Sequence, residues 1–227
     1  DSSTSRGLGD VYKRQLHAQF DYLKNTVSVY NDYYQAFKDY KVTAEVYDLN
    51  SKKVWGKSQK IDIPEDGVVN DIFTIDFPQN ITQVHFIKLR LFDTKGKEVA
   101  NTFYWRSNDK YKGRKTLTGP TSSGFEDLSK LKQVQLKTRY QTYQEGDRHF
   151  IKAEIKNPSS TVAFFTQLQL LGQDKKPVRP SFYTDNFFSL LPGESKTVII
   201  ETAASDMPSE PTFVVKGWNI KPSSFKL

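Results

Sequence analysis

The 227-residue sequence has no cysteine, one methionine and three histidines. Without cysteine there is no disulfide, no thiol nucleophile and no cysteine-ligated metal, although the compartment stays open. His17, His85 and His149 stand apart and show no HExxH context, so no metal site is assigned. No GxSxG, P-loop or dinucleotide fingerprint is present, and no cofactor is implied. No apolar run approaches the ~20 residues that span a bilayer. No segment holds a helical period.

What remains is a globular composition. Hydrophobic residues make up 37% and aromatics 14%, so bulky rings supply much of the core. Two sandwiches of roughly 100 residues can each bury an adequate core at this length. The formal charge is +7. Its Lys and Arg residues are scattered over strand edges and turns, where Lys also blocks edge-to-edge pairing. A nucleic-acid binder would gather them on one face among exposed rings. Nucleic acid and membrane are therefore not expected partners.

Residues 1–15, DSSTSRGLGDVYKRQ, are polar and aperiodic. They resemble translated adapter sequence and are set aside as extraneous; the natural N-terminal part is expected to lie upstream. A first domain is placed at 16–106. Val42, Ala44 and Val46 alternate with Thr43, Glu45 and Tyr47, and Ile87, Leu89 and Leu91 oppose Lys88 and Arg90. Thr26 to Val29 and Phe73, Ile75 and Phe77 add further alternating runs. Asp48-Leu49-Asn50-Ser51, Pro64-Glu65-Asp66-Gly67 and Asp93-Thr94-Lys95-Gly96 read as turns. Seven short strands at this spacing predict a β-sandwich.

Residues 107–130, rich in Gly, Ser and Lys, read as a linker. A second domain is placed at 131–220, and 221–227 is read as a polar, frayed tail. Val134 and Leu136 are taken as its first strand, and Phe213 and Val215 as its last. Ile151, Ala153 and Ile155 give the cleanest period-two signal. Phe164, Leu168 and Leu170 are expected on one face, against Gln167 and Gln169. Pro192-Gly193 predicts a tight turn before Val198 and Ile200.

The stretch NPSSTVAFF, followed by SFYTDNFFSLLPGES, carries a resemblance. Asn157, Ala163, Phe164, Asp185, Asn186, Phe188, Leu191, Pro192, Gly193 and Glu194 resemble the signature of the C-terminal immunoglobulin-like domain of exo-β-D-glucosaminidases and β-mannosidases of glycoside hydrolase family 2. A weaker likeness covers Leu16 to Trp105. The resemblance implies an all-β chain of two consecutive immunoglobulin-like sandwiches. It also implies an accessory role beside a catalytic barrel absent from this chain, and a periplasmic or extracellular parent. The parent's retaining hydrolysis would need a carboxylate pair carried on that barrel, so no catalytic residue is assigned here.

Acidic residues in turn signals (Asp93, Asp147, Asp174, Glu194) read as solubilising or capping groups. Trp55, Trp105, Tyr183 and Trp218 could stack on sugar rings, and a stand-alone carbohydrate-binding module is the alternative reading. The segment Ser181 to Ser189 draws a sharper expectation. Tyr183 and Phe187 share a parity and Phe188 does not, so Phe187 is expected to point outward unless a bend intervenes. Tyr183, Asp185, Asn186 and Phe187 are therefore the candidate docking residues for the missing barrel.

Overall fold

The computed structural model describes residues 16–108 and 124–227. The segment set aside as extraneous, 1–15, and most of the expected linker lie outside the described residues. The chain divides into two compact units, Asp1–Phe125 and Glu126–Leu227.

In the first unit the alternating runs become β1 (Leu16–Asp21), β2 (Thr26–Asn31), β3 (Phe37–Asp48), β4 (Lys53–Ile63), β5 (Gly67–Thr74), β6 (Val84–Phe92) and β7 (Glu98–Ser107). They form two antiparallel sheets, β1-β2-β5 and β4-β3-β6-β7. The inward side chains Val27, Val29, Val42, Ala44, Val46, Ile87, Leu89 and Leu91 build the core between them. β2 is the central strand of its sheet, and its Thr26 and Ser28 are buried too. Gly96, in the turn after β6, sits at φ 79°, a conformation that costs glycine nothing.

The second unit contains β8 (Lys137–Glu145), β9 (Arg148–Lys156), β10 (Ala163–Leu171), β11 (Phe182–Tyr183), β12 (Phe188–Leu190), β13 (Ser195–Ala203), β14 (Thr212–Gly217) and β15 (Ile220–Lys226). Its sheets run β11-β13-β9-β8 and β12-β10-β14-β15. The core between them includes Ile151, Ala153, Ile155, Leu168, Leu170, Val198, Ile200, Phe213 and Val215. Among the described residues the only helical pieces are two short 3₁₀ turns, Glu126–Lys130 and Ala204–Asp206. The chain is all-β, with two consecutive sandwiches.

Four sequence expectations need correction. The tail 221–227 is not frayed: β15 pairs along β14, from Gly217↔Ile220 to Thr212↔Lys226. Phe225 stacks on Phe213 at 5.8 Å, and Tyr140 Oη donates to the Lys226 carbonyl at 2.8 Å. The expected linker also ends inside the fold. Leu128 is buried in the 3₁₀ turn, and its carbonyl accepts the Trp218 indole N–H at 3.0 Å. Val134 and Leu136 are buried but precede β8; Val134 makes only an isolated bridge to Ile220.

The fourth correction concerns β10. Ala163, not Phe164, joins Leu168 and Leu170 in the core cluster. Phe165 takes φ 57°, and the register against β12 shifts between Ala163 and Thr166. One irregular residue reverses the in-out parity of those before it.

Candidate docking surface

The segment from Ser181 to Ser189 lies against the free side of β10. Tyr183 in β11 pairs with Ile200, an inward position, and its ring packs on the core. Its hydroxyl accepts the Leu170 N–H at 3.0 Å. Burial raises the phenol pKa, and that N–H pulls it partly back. The next residue, Thr184, exchanges bonds with Ile199: its N–H donates to the carbonyl at 3.0 Å and its Oγ1 accepts the N–H at 2.9 Å.

Asn186 takes the place of a strand partner. Its Oδ1 accepts the Leu168 N–H at 2.8 Å, and its Nδ2 donates to the Leu168 carbonyl at 3.0 Å. With Val178 N–H donating to the Leu170 carbonyl at 3.0 Å, the main chain of Leu168 and Leu170 is satisfied on this side. Buried peptide groups need such partners, and here side chains supply most of them. Asp185 forms an ion pair with Lys196, whose ammonium lies 5.1 Å from the Phe188 ring centroid.

Tyr183 and Asn186 are thus committed inward, and the parity argument that sent Tyr183 outward with Phe187 does not hold. Phe187 itself is outward, 49% exposed, at φ 58°. Its ring meets Phe165 at 5.4 Å, and Phe165 is 38% exposed at φ 57°. Left-handed backbone is unusual for a bulky side chain and costs on the order of 1–3 kcal/mol per residue. Two such phenylalanines stand side by side. Phe165 was missed at the sequence level, yet adjacent Phe164 and Phe165 in one strand must point to opposite faces.

The Phe165 backbone is tightly seated. Its N–H donates to Ser189 Oγ at 3.2 Å. A Cβ on Gly217 would come within 2.9 Å of its carbonyl oxygen and 3.1 Å of the Phe164 carbonyl. The fold therefore holds both rings in place rather than leaving them on a loose loop.

The other signature residues also serve the backbone. Asn157, fully buried, donates to the Thr161 and Leu190 carbonyls at 2.8 and 2.9 Å and accepts Ser159 N–H at 3.0 Å. Glu194 Oε2 accepts the Leu191 N–H at 2.8 Å across the Pro192-Gly193 turn, where Gly193 adopts φ 81°. Asp93 and Asp174 likewise accept main-chain N–H groups of their own turns.

No pair of carboxylates suited to glycoside cleavage comes together in the depression on the first unit. That depression, of about 290 Å³, is lined by Lys41, Thr43, Glu45, Lys53 and neighbours, with Glu45 its one carboxylate. Burial alone would raise the Glu45 pKa. Hydrogen bonds from Lys53 at 2.6 Å, Tyr47 at 2.8 Å and Arg90 outweigh it, and the net shift is downward. A carboxylate held ionised by two cations is a poor proton donor. Tyr47, the neighbour of that carboxylate, is pushed up to about 12, first by burial and then by Glu45.

Histidine and tryptophan positions are equally dispersed. His17 stacks on Tyr30 at 5.0 Å, and His85 is fully buried against Phe77. No group of three potential metal ligands occurs among the described residues. Within neither unit, among the described residues, do the rings considered for sugar stacking form a platform. Trp55 leans on Phe73 against the core, whereas Trp105 pairs with Phe86 at a position of opposite parity in the same sheet. In the second unit Tyr183 is inward and Trp218 is 60% exposed.

Comparison with known proteins agrees with this architecture. Residues 24–111 match the mannosidase Ig/CBM-like domain, and residues 116–220 match the exo-β-D-glucosaminidase Ig-fold domain. The exo-β-D-glucosaminidase of Streptomyces avermitilis is 27% identical over 216 residues, covering 90% of this chain and 24% of the relative. That of Amycolatopsis orientalis is 25% identical over 90% of this chain and 21% of the relative. The crystal structure of the A. orientalis exo-chitosanase CsxA superposes with a TM-score of 0.84 at 21% identity, over 94% of this chain and 26% of that one. A β-D-mannosidase from Dictyoglomus thermophilum gives 0.56 at 13% identity, over 92% and 22%. The chain spans about a quarter of the length of the curated relatives it matches.

Taken with the all-β fold, the two domain matches place the chain among the immunoglobulin-like domains of glycoside hydrolase family 2. More particularly, the second unit is an exo-β-D-glucosaminidase Ig-fold domain and the first a mannosidase Ig/CBM-like domain. The stretch matched here is about a quarter of the length of those relatives. In its relatives these domains share one polypeptide with the catalytic barrel.

Proposed function

We infer that the parent polypeptide is a retaining exo-β-D-glucosaminidase, releasing terminal β-linked glucosamine, and that this segment braces its catalytic barrel. The observation that carries this reading is the tandem itself. Both domains, in the same order, lie in curated relatives named exo-β-D-glucosaminidase over 90% or more of this chain. The carboxylate pair that retaining hydrolysis requires would come from the barrel. The role left to this segment is to hold the barrel and shape its surroundings.

The mannosidase reading of the parent has weaker support, because the D. thermophilum neighbour superposes less well than the exo-chitosanase. For a stand-alone carbohydrate-binding role, the rings considered form no flat platform within either unit among the described residues. The test is to recover the upstream coding sequence, express the whole polypeptide and assay β-D-glucosaminide and β-D-mannoside side by side. Preference for the glucosaminide is the expected result; preference for the mannoside overturns it.

A further inference from the structure

Phe165 and Phe187 stand half-exposed on neighbouring segments, β10 and the turn before β12, with ring centroids 5.4 Å apart. Both occupy left-handed backbone. A turn residue chosen only for that conformation would be Gly or Asn, which adopt it at little cost. Phenylalanine adds strain and exposes apolar surface together. Such strain persists only where the surrounding structure enforces it, and it gathers at functional surfaces. Here the enforcement is visible: Asn186 Oδ1 accepts the Phe187 N–H at 3.0 Å while clamped to Leu168. Ser189 and the close approach of Gly217 fix Phe165.

We propose that the Phe165–Phe187 pair is the knob by which the second unit docks onto the catalytic region of its own polypeptide. The size of the patch selects this occupant. At 38% and 49% exposure the two rings leave roughly 200 Å² free. A stable interface between separate molecules buries at least about 1,000 Å² in total. A contact within one chain needs much less, because the tether supplies a high effective concentration. Curated relatives carry about three quarters of their length outside the stretch matched here, in the same polypeptide.

The proposal rests on the reading of this chain as the accessory portion of a longer enzyme. The test is oxidative labelling of the two rings, read by mass spectrometry, in this chain alone and in the full parent polypeptide. Both rings should label readily in the chain alone. In the parent, labelling should fall about fivefold or more as half-exposed rings become core-like. Equal labelling in the two samples overturns the proposal. Labelling of the chain alone that falls with its own concentration also overturns it, in favour of a second copy as occupant.

Phe187→Gly supplies an independent arm, because it removes the ring and relieves the backbone. The melting temperature of the chain should hold or rise, while proteolytic release of this segment from the parent should speed up. A variant chain that melts several degrees lower marks Phe187 as core and overturns the knob. The substrate preference of the parent is measured separately, so a wrong substrate assignment leaves the labelling result standing.

Discussion

Asn186 and Leu168 bond each other twice, the carboxamide accepting the Leu168 N–H at 2.8 Å and donating to its carbonyl at 3.0 Å. One side chain thereby does the work of a neighbouring strand along part of β10. Asn186→Ala leaves both main-chain groups of a buried residue unpaired. The expected loss is about 2 kcal/mol or more, measured by urea unfolding of the chain. A loss under about 0.5 kcal/mol, the size of an ordinary surface change, would mean that water replaces the amide freely.

Gly217→Ala should destabilise through packing rather than backbone conformation. The new Cβ meets Ile220 Cδ1 and comes within 2.9 Å of the Phe165 carbonyl oxygen and 3.1 Å of the Phe164 carbonyl. Two of the three neighbours are main chain and give way poorly. The expected cost is about 1–3 kcal/mol. Unfolding midpoints of variant and parent chain within error of each other would refute it.

His85 should make the first unit acid-sensitive. Its ring is fully buried, which lowers its pKa to about 4; Arg106 adds to the lowering, and the main chain at Thr82 and Gln83 opposes it. In the unfolded chain the ring takes its proton near the ordinary value of 6.5. Between those values the unfolded chain binds a proton that the fold does not. The stability that depends on neutral His85 is therefore complete above pH 6.5 and is lost as pH falls toward 4. The full difference is about 3 kcal/mol. His85→Phe should flatten the stability profile across this window. Equal slopes for both proteins would show that other groups set the acid response.

Asn157→Ala should be among the most damaging single changes. The carboxamide is fully buried and bonds the Thr161 and Leu190 carbonyls as well as the Ser159 N–H. Its removal takes a partner from the buried Leu190 carbonyl and from the Ser159 N–H and leaves a cavity in the core, with an expected loss of about 2–3 kcal/mol. A variant as stable as the parent chain in thermal unfolding would remove Asn157 from the framework of the fold.

Much of the fold was legible where aliphatic alternation marks a half-buried strand. Val42, Ala44 and Val46, or Ile151, Ala153 and Ile155, leave no choice of face. β8 was not legible, because the positions opposite inward Ala153 and Ile151 are Tyr140 and Thr142, both exposed, rather than aliphatics. β15 hid behind Pro222, Ser223 and Ser224, although Phe225 supplies its contact to Phe213. The candidate site was half legible. The outward turn of Phe187 followed from parity with Phe188, and that of Phe165 could have been read from its neighbour Phe164, but Tyr183 inward could not. Left-handed residues at 165 and 187 break the alternation on which such counting depends. A positive φ in phenylalanine leaves no mark in a hydrophobic pattern.

We propose that this chain braces a catalytic region carried elsewhere in its polypeptide and does not itself cleave glycosides. The most direct measurement is the initial rate of p-nitrophenyl β-D-glucosaminide hydrolysis by the chain alone, at high protein concentration and over several pH values. The rate should equal the buffer blank throughout. Sustained turnover that a single carboxylate substitution in this chain abolishes would contradict the account.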